Sequence, residues 1–210
     1  MKKASWILIG IMATSIGLYP LIYFLVDRRF GLLASKSAAL LSDTVWNIAF
    51  YGHILLAGLA LLIGWLQFSS TLRRRRMNIH RAIGKLYVIA VLISGFCGLY
   101  IAIHATGGMI SILGFFSLDL VWLSTTILGF KAIKNGNIAL HQKFMIYSYA
   151  ACFAAVTLRI WLPTLTSIMG EFIGAYRIVA WLCWVPNIIV AYFIVRYSNR
   201  NNTSSSAQGL

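Results

Sequence analysis

The sequence predicts an all-α fold, a polytopic transmembrane helix bundle of six helices with a four-helix core formed by helices 2–5. Three observations predict it. Of the 210 residues, 60% are hydrophobic and only 10% are charged, whereas soluble domains carry about 25% charged residues. The apolar residues gather into runs close to the roughly 20 residues needed to cross a bilayer, at 5–26, 46–68, 83–104, 109–130, 142–162 and 173–195. No stretch alternates apolar and polar residues regularly, so the pattern of a membrane β-barrel is missing.

The net charge of +14 raises nucleic acid as a partner, but the placement of the charge argues for topology instead. With the N-terminus in the cytoplasm, thirteen of the eighteen Lys and Arg fall on the inner side, among them Lys2, Lys3, the run Arg73 to Arg76, Arg81, Lys85, Lys131, Lys134, Lys143, Arg196 and Arg200. Five fall on the outer side or at outer helix ends: Arg28, Arg29, Lys36, Arg159 and Arg177. This asymmetry is the positive-inside pattern of an inner (plasma) membrane protein with both termini cytoplasmic. Lipid bilayer is the expected environment, anionic lipid the expected partner at the cytoplasmic face, and nucleic acid is not expected.

The first span opens with Met-Lys-Lys and resembles a signal sequence. Its apolar region is too long, and no clear small-x-small cleavage site follows, which makes it an uncleaved anchor. Residues 1–45 form this anchor and an external loop, whose Leu32-Leu33 and Leu40-Leu41 place it on the membrane surface. The second span starts near Trp46, an interfacial anchor, and carries His53 above a small-residue stripe of Ala57, Ala60 and Gly64 that ends at Gln67. After the arginine run, the third span carries His80 at its start and His104 at its end, before a tight turn at Thr106-Gly107-Gly108.

The fourth span holds Asp119 about ten residues deep. A carboxyl group there costs about 2.5–3.5 kcal/mol on insertion scales, so such residues usually mark function. The fifth span runs from His141 to Arg159. These are 18 residues apart, about five turns, so they share a face, with Met145, Ser148, Cys152 and Ala155 between them. The sixth span, within 164–197, contains Pro186, which should kink it. The tail 198–210 is Ser/Asn-rich and expected to be disordered. Cys97, Cys152 and Cys183 all lie in spans and read as small hydrophobes, not a disulfide framework.

The core, 46–163, reads as two hairpins with the pattern of a weak internal repeat: each crosses the cytoplasmic side through a basic loop, and each return helix opens with histidine, at Asn78-Ile79-His80-Arg81 and Ala139-Leu140-His141-Gln142.

Gly52-His53, Gln67-Phe68, His80-Arg81-x-x-Gly84-x-x-Tyr87, His141-x-x-Phe144-Met145-Ile146-x-Ser148-Tyr149-Ala150 and Ala154-Ala155-Val156-Thr157-Leu158-Arg159 resemble motifs of a bacterial membrane family, domain of unknown function 2306. The resemblance covers roughly residues 50 to 163. The family pattern at the second histidine reads His-Arg-x-Trp-Met-x-Arg-Ser. Here Gln142, Phe144 and Tyr147 take the Arg, Trp and second Arg places. If that second arginine binds an anion, this chain has lost it. The resemblance implies an architecture and a set of sites, without a reaction.

The four histidines are the candidate cofactor-binding residues. Helix rise places His80 and His141 within about 5 Å in height at the inner boundary, His53 roughly 22 Å above the inner end of its helix, and His104 roughly 31 Å above that of its own. Neutral imidazole ligates haem iron, and small residues beside it leave room for a porphyrin. Haem b held by paired histidines, with Arg159 facing a propionate, would give a b-type cytochrome-like electron-transfer protein. The inner pair, His80 and His141, fits better than the outer pair, because His53 and His104 differ by about 9 Å in height. The different class is a non-redox protein that binds or moves a small anion or lipid, with His80, Arg81, Lys85, His141 and Lys143 as its pocket and Asp119 with Arg159 as an intramembrane polar pair. A stand-alone enzyme is not indicated: there is no nucleophile elbow, phosphate loop, His-Glu-x-x-His or carboxylate pair, and only four acidic residues.

Overall fold

The computed structural model describes residues 3–26 and 31–207, with side chains described for 5–26 and 31–198. Ten α-helices are described and no strand among those residues: α1 (Lys3–Leu18), α2 (Ala38–Ser42), α3 (Thr44–Gly64), α4 (Ser70–Arg75), α5 (Met77–Ala102), α6 (Met109–Lys134), α7 (Ile138–Cys152), α8 (Ala154–Met169), α9 (Phe172–Leu182) and α10 (Val185–Ala207). They build six membrane-crossing segments, Ser5–Phe24, Thr44–Phe68, Met77–Ala102, Met109–Lys134, Ile138–Met169 and Phe172–Ser198. The protein is a multi-pass membrane protein, and every expected span is present. α3 and α7 start ahead of their apolar runs, because capping residues and not hydropathy set those ends.

Those caps are local and legible. Asp43 accepts a hydrogen bond from the Trp46 amide (2.8 Å) to start α3, and Asn137 accepts one from the Leu140 amide (2.9 Å) to start α7. Gly107 and Gly108 turn the chain between α5 and α6 at φ of 96° and 74°, a region that a side chain would resist. The arginine run is not a loop: Ser69 accepts from the Leu72 amide and starts α4, which contains Arg73, Arg74 and Arg75.

Two spans are broken. The fifth divides at Phe153 between α7 and α8, and the sixth at Cys183-Trp184 between α9 and α10. The second break lies just ahead of Pro186, which has no amide hydrogen to give and clashes with the preceding turn. Asn187 Nδ2 donates to the Cys183 carbonyl (3.0 Å) and to Ala150 O (3.3 Å), and Thr157 Oγ1 also donates to Cys183 O. Carbonyls freed by a break inside a membrane need such partners. Beyond the last span α10 continues to Ala207 through the Ser/Asn-rich stretch, where the sequence suggested disorder.

Packing follows a ring: α3 lies on α5, α5 on α6, α6 on α7, and α7 touches α3. The first span packs on α3 and α8, and the sixth on α6 and α7. The central cluster joins Ala60, Leu61, Tyr87, Val91, Trp122, Tyr149 and Val156. Small residues set its closeness: Gly64 sits where an added Cβ would lie 2.6 Å from the Tyr149 ring and 2.9 Å from the Tyr87 ring.

Candidate functional site

His80 and His141 are each placed by the first turn of a helix. The His80 amide bonds to Arg76 O and the His141 amide to Asn137 O, both at 3.0 Å. Both side chains line one cavity of about 1220 Å³ at the end of the bundle where α5 and α7 begin. Its walls come from the end of the second span (Gly64, Gln67, Phe68), from α4 and α5 (Arg73, Arg81, Gly84, Lys85, Tyr87), and from the α6–α7 hairpin (Phe130, Lys134, Met145, Tyr149). Trp6 of α1 closes one side. Gly84, one turn beyond His80, keeps that face open.

The histidines differ in their bonding. His141 Nδ1 donates to the Gly129 carbonyl at 2.9 Å, which fixes the tautomer and leaves Nε2 with its lone pair. His80 Nδ1 is buried and has no hydrogen-bond partner among the described residues, and neither has Gln67 Nε2. Native proteins rarely leave buried polar atoms unpaired, so two orphans on one cavity point to an occupant. Arg73 Nη1 donates to Gln67 O at 3.0 Å, which folds the start of the arginine run against the cavity.

Beside the cavity a closed ring of hydrogen bonds ties three helices together. Trp122 Nε1 donates to Tyr87 Oη (3.5 Å), and Tyr87 to Ser148 Oγ (2.8 Å). Ser148 then donates to Thr126 Oγ1 (2.7 Å), and Thr126 to the Trp122 carbonyl (2.7 Å). Every hydroxyl has one donor role and one acceptor role in this order, so the burial of Ser148 and Thr126 leaves none of them unsatisfied. Tyr149 Oη donates to Leu61 O at 3.2 Å and fixes the other aromatic wall. Sequence reading named Ser148 on the face shared by His141 and Arg159, and Tyr87 and Tyr149 as parts of motifs. It missed Trp122 as their partner, for which hydropathy carries no signal.

The other sequence-predicted residues lie elsewhere. His53 Nδ1 donates to Ser94 O at 2.9 Å, and Ser94 Oγ returns a bond to His53 O at 2.9 Å, which locks α3 to α5. His104 donates from Nδ1 to Tyr100 O (3.2 Å), and its carbonyl accepts Lys36 Nζ (2.6 Å). Ser94 and His104 are ten residues apart on one helix, about 15 Å, so the structure does not bring His53 and His104 together. The Lys36 bond draws the 31–43 segment over the α5–α6 turn, and Ser35 Oγ reinforces it on Thr106 Oγ1 at 3.0 Å. Burial lowers the pKa of Lys36 to about 8.

Asp119 and Arg159 do not pair. Asp119 is buried against Gly98 of α5, where an added Cβ would lie 2.5 Å from its Oδ2. Arg159 instead stacks on Tyr19 of the first span, 4.3 Å from the ring centre, with Nη1 donating to Ala155 O at 2.9 Å. Arg159 is within electrostatic range of His53. Lys2, Arg28 and Arg29 of the charge pattern lie outside the described residues. No group of three or more His, Cys, Asp or Glu able to hold a metal ion is present among the described residues.

Comparison with known proteins bears on this arrangement through one match. A family model described as "Predicted membrane protein (DUF2306)" matches residues 50–195, from the middle of α3 into α10, and so takes in all four histidines, Asp119 and Arg159. No curated protein and no solved structure shows significant similarity to the chain. The match extends the resemblance seen in the motifs into the sixth span, and the chain belongs to the DUF2306 family of membrane proteins.

Proposed function

We propose that the chain binds haem b in the cavity between α5 and α7 and serves as a b-type cytochrome-like electron-transfer protein. The observation that carries this reading is the pair of histidines from separate helices facing one cavity, one with Nε2 left free and one with an unpartnered Nδ1. The volume of about 1220 Å³ exceeds the roughly 300–1,000 Å³ typical of small-molecule pockets, which suits a large planar group. Phe68, Tyr87, Phe130 and Tyr149 offer apolar aromatic walls.

His80 and His141 would hold the iron of the haem through their imidazole nitrogens. Arg73, Arg81, Lys85 and Lys134, all lining the cavity, would meet its carboxylates with charge-assisted hydrogen bonds. The Gly129 carbonyl orients His141. The Tyr87–Ser148 hydrogen bond holds one aromatic wall in place. Bound there, haem supplies one-electron chemistry. The outer histidines take no part, since His53 and His104 are engaged separately. The positive-inside charge pattern supports a cytoplasmic side of an inner membrane for this cavity, with both termini cytoplasmic.

One observation favours a second reading, an anionic lipid or small anion in the same cavity. Four basic side chains line it, and none of the described acidic residues, Asp43, Asp119 and Glu171, does. Haem and phosphorus assays on protein purified from haem-supplemented cells separate the two. Near-stoichiometric haem supports the first reading. Bound phospholipid without haem supports the second and removes the first.

A further inference from the structure

The end of the bundle that holds the cavity also carries a basic surface, and the haem reading uses only part of it. Arg74, Arg75 and Arg76, at and just past the end of α4, are exposed. So are Lys131 of α6 and Lys143 of α7, on either side of the hairpin turn. None of these five lines the cavity, whereas Arg81, Lys85 and Lys134 are exposed and also line it, which joins the surface to the cavity wall. Between residues 64 and 149 the chain has one acidic residue, Asp119, and it is buried against Gly98. No carboxylate on these helices offsets the eight cations.

Exposed apolar side chains are set among the charges: Met77 and Ile79 beside the arginine run, Ile138 and Leu140 at the hairpin. All four lie outside the apolar runs of the spans. Arginine and methionine are enriched where proteins dock, with apolar groups at the centre and charge at the rim. A lipid headgroup reaches the perimeter of a bundle, whereas three of these cations line the space between its helices. We propose that this surface docks an acidic one-electron carrier protein that reduces haem in the cavity, a proposal that rests on the haem reading. The carrier is oxidised by one electron, ferric haem becomes ferrous, and no bond forms or breaks. Opposite charge steers such encounters and raises their rate by about 10- to 1,000-fold at low salt.

The test uses the full haem-loaded chain in phosphatidylcholine nanodiscs and follows haem reduction by two donors. One is reduced plant-type ferredoxin, an acidic protein; the other is the methyl viologen radical cation. Ferredoxin should reduce wild type about tenfold more slowly at roughly 300 mM salt than at roughly 20 mM, and viologen should not slow. Arg74→Gln, Arg75→Gln and Arg76→Gln together should slow ferredoxin about tenfold at low salt and leave viologen reduction and haem content unchanged. A ferredoxin rate indifferent to salt overturns the proposal. So does an unchanged rate in the triple variant, and loss of copurifying phosphatidylglycerol from that variant would then assign the arginines to lipid. Should the triple variant fail to insert, the salt dependence of the two donors on wild type still decides. Wild type that takes up no haem removes the haem reading and this proposal with it; haem that is bound but reduced without regard to salt removes this proposal alone.

Discussion

His141 Nδ1 lies 2.9 Å from the carbonyl oxygen of Gly129, across the hairpin that joins α6 to α7. The bond orients the imidazole and sets its tautomer, so Nε2 keeps its lone pair. Replacement of His141 by Ala should abolish haem binding. Replacement by Gln, which cannot ligate iron well, should do the same while leaving the folded yield intact. Haem absorbance and size-exclusion profiles of the two variants check this together.

The packing at Gly64 predicts a stability effect. Ala at this position would bring a Cβ to 2.6 Å from Tyr149 and 2.9 Å from Tyr87, both ring atoms of buried side chains. Overpacking of this kind costs about 1–3 kcal/mol. Gly64→Ala should lower the thermal unfolding midpoint in detergent and reduce ligand occupancy, because both rings line the cavity.

The closed hydrogen-bond ring predicts a smaller cost. Ser148→Ala leaves the Tyr87 hydroxyl without its acceptor and Thr126 without its donor. Interhelical hydrogen bonds in membranes contribute about 0.6 kcal/mol on average and about 1.7 at most. The loss should fall in that range, and Tyr87→Phe combined with Ser148→Ala should cost less than the sum of the two single changes. A double-mutant cycle on detergent-solubilised protein measures it.

Lys36 predicts a pH dependence at the outer turn. Burial lowers its pKa from 10.5 to about 8 in the folded chain. Between those values the unfolded chain binds the extra proton, so stability rises with pH across that window and is flat below it. Wild type should gain on Lys36→Met as pH climbs from about 8 to about 10, when midpoints are compared at matched ionic strength. A constant difference between the two would contradict this.

Asp119 makes no hydrogen bond or ion pair among the described residues, so Asp119→Asn should leave stability unchanged or raise it. Thermal unfolding of the variant checks this. A large loss would reveal a partner that the fold does not display.

The spans were legible in the sequence because hydropathy over about 20 residues is an additive property of the chain. The caps at Asp43 and Asn137 and the turn at Gly107-Gly108 were local, and the turn was read directly. His80 and His141 were legible as a pair because helix rise converts sequence position into height. Their convergence on one cavity was not, since it depends on which faces of α5 and α7 turn toward each other. The same limit separates Asp119 from Arg159, expected as an intramembrane polar pair: α8 turns Arg159 toward Tyr19. The break at Phe153 had no proline to announce it, whereas Pro186 marked the neighbourhood of the break at Cys183-Trp184.

The most direct measurement is the reduced-minus-oxidised absorption spectrum of the purified protein, expressed with ample haem, for wild type, His80→Ala, His141→Ala and His104→Ala. The proposed site predicts b-type bands in wild type and in His104→Ala, and their loss in the other two variants at equal folded yield. Absence of a Soret band from wild type, or bands that survive both inner-histidine substitutions, would contradict it.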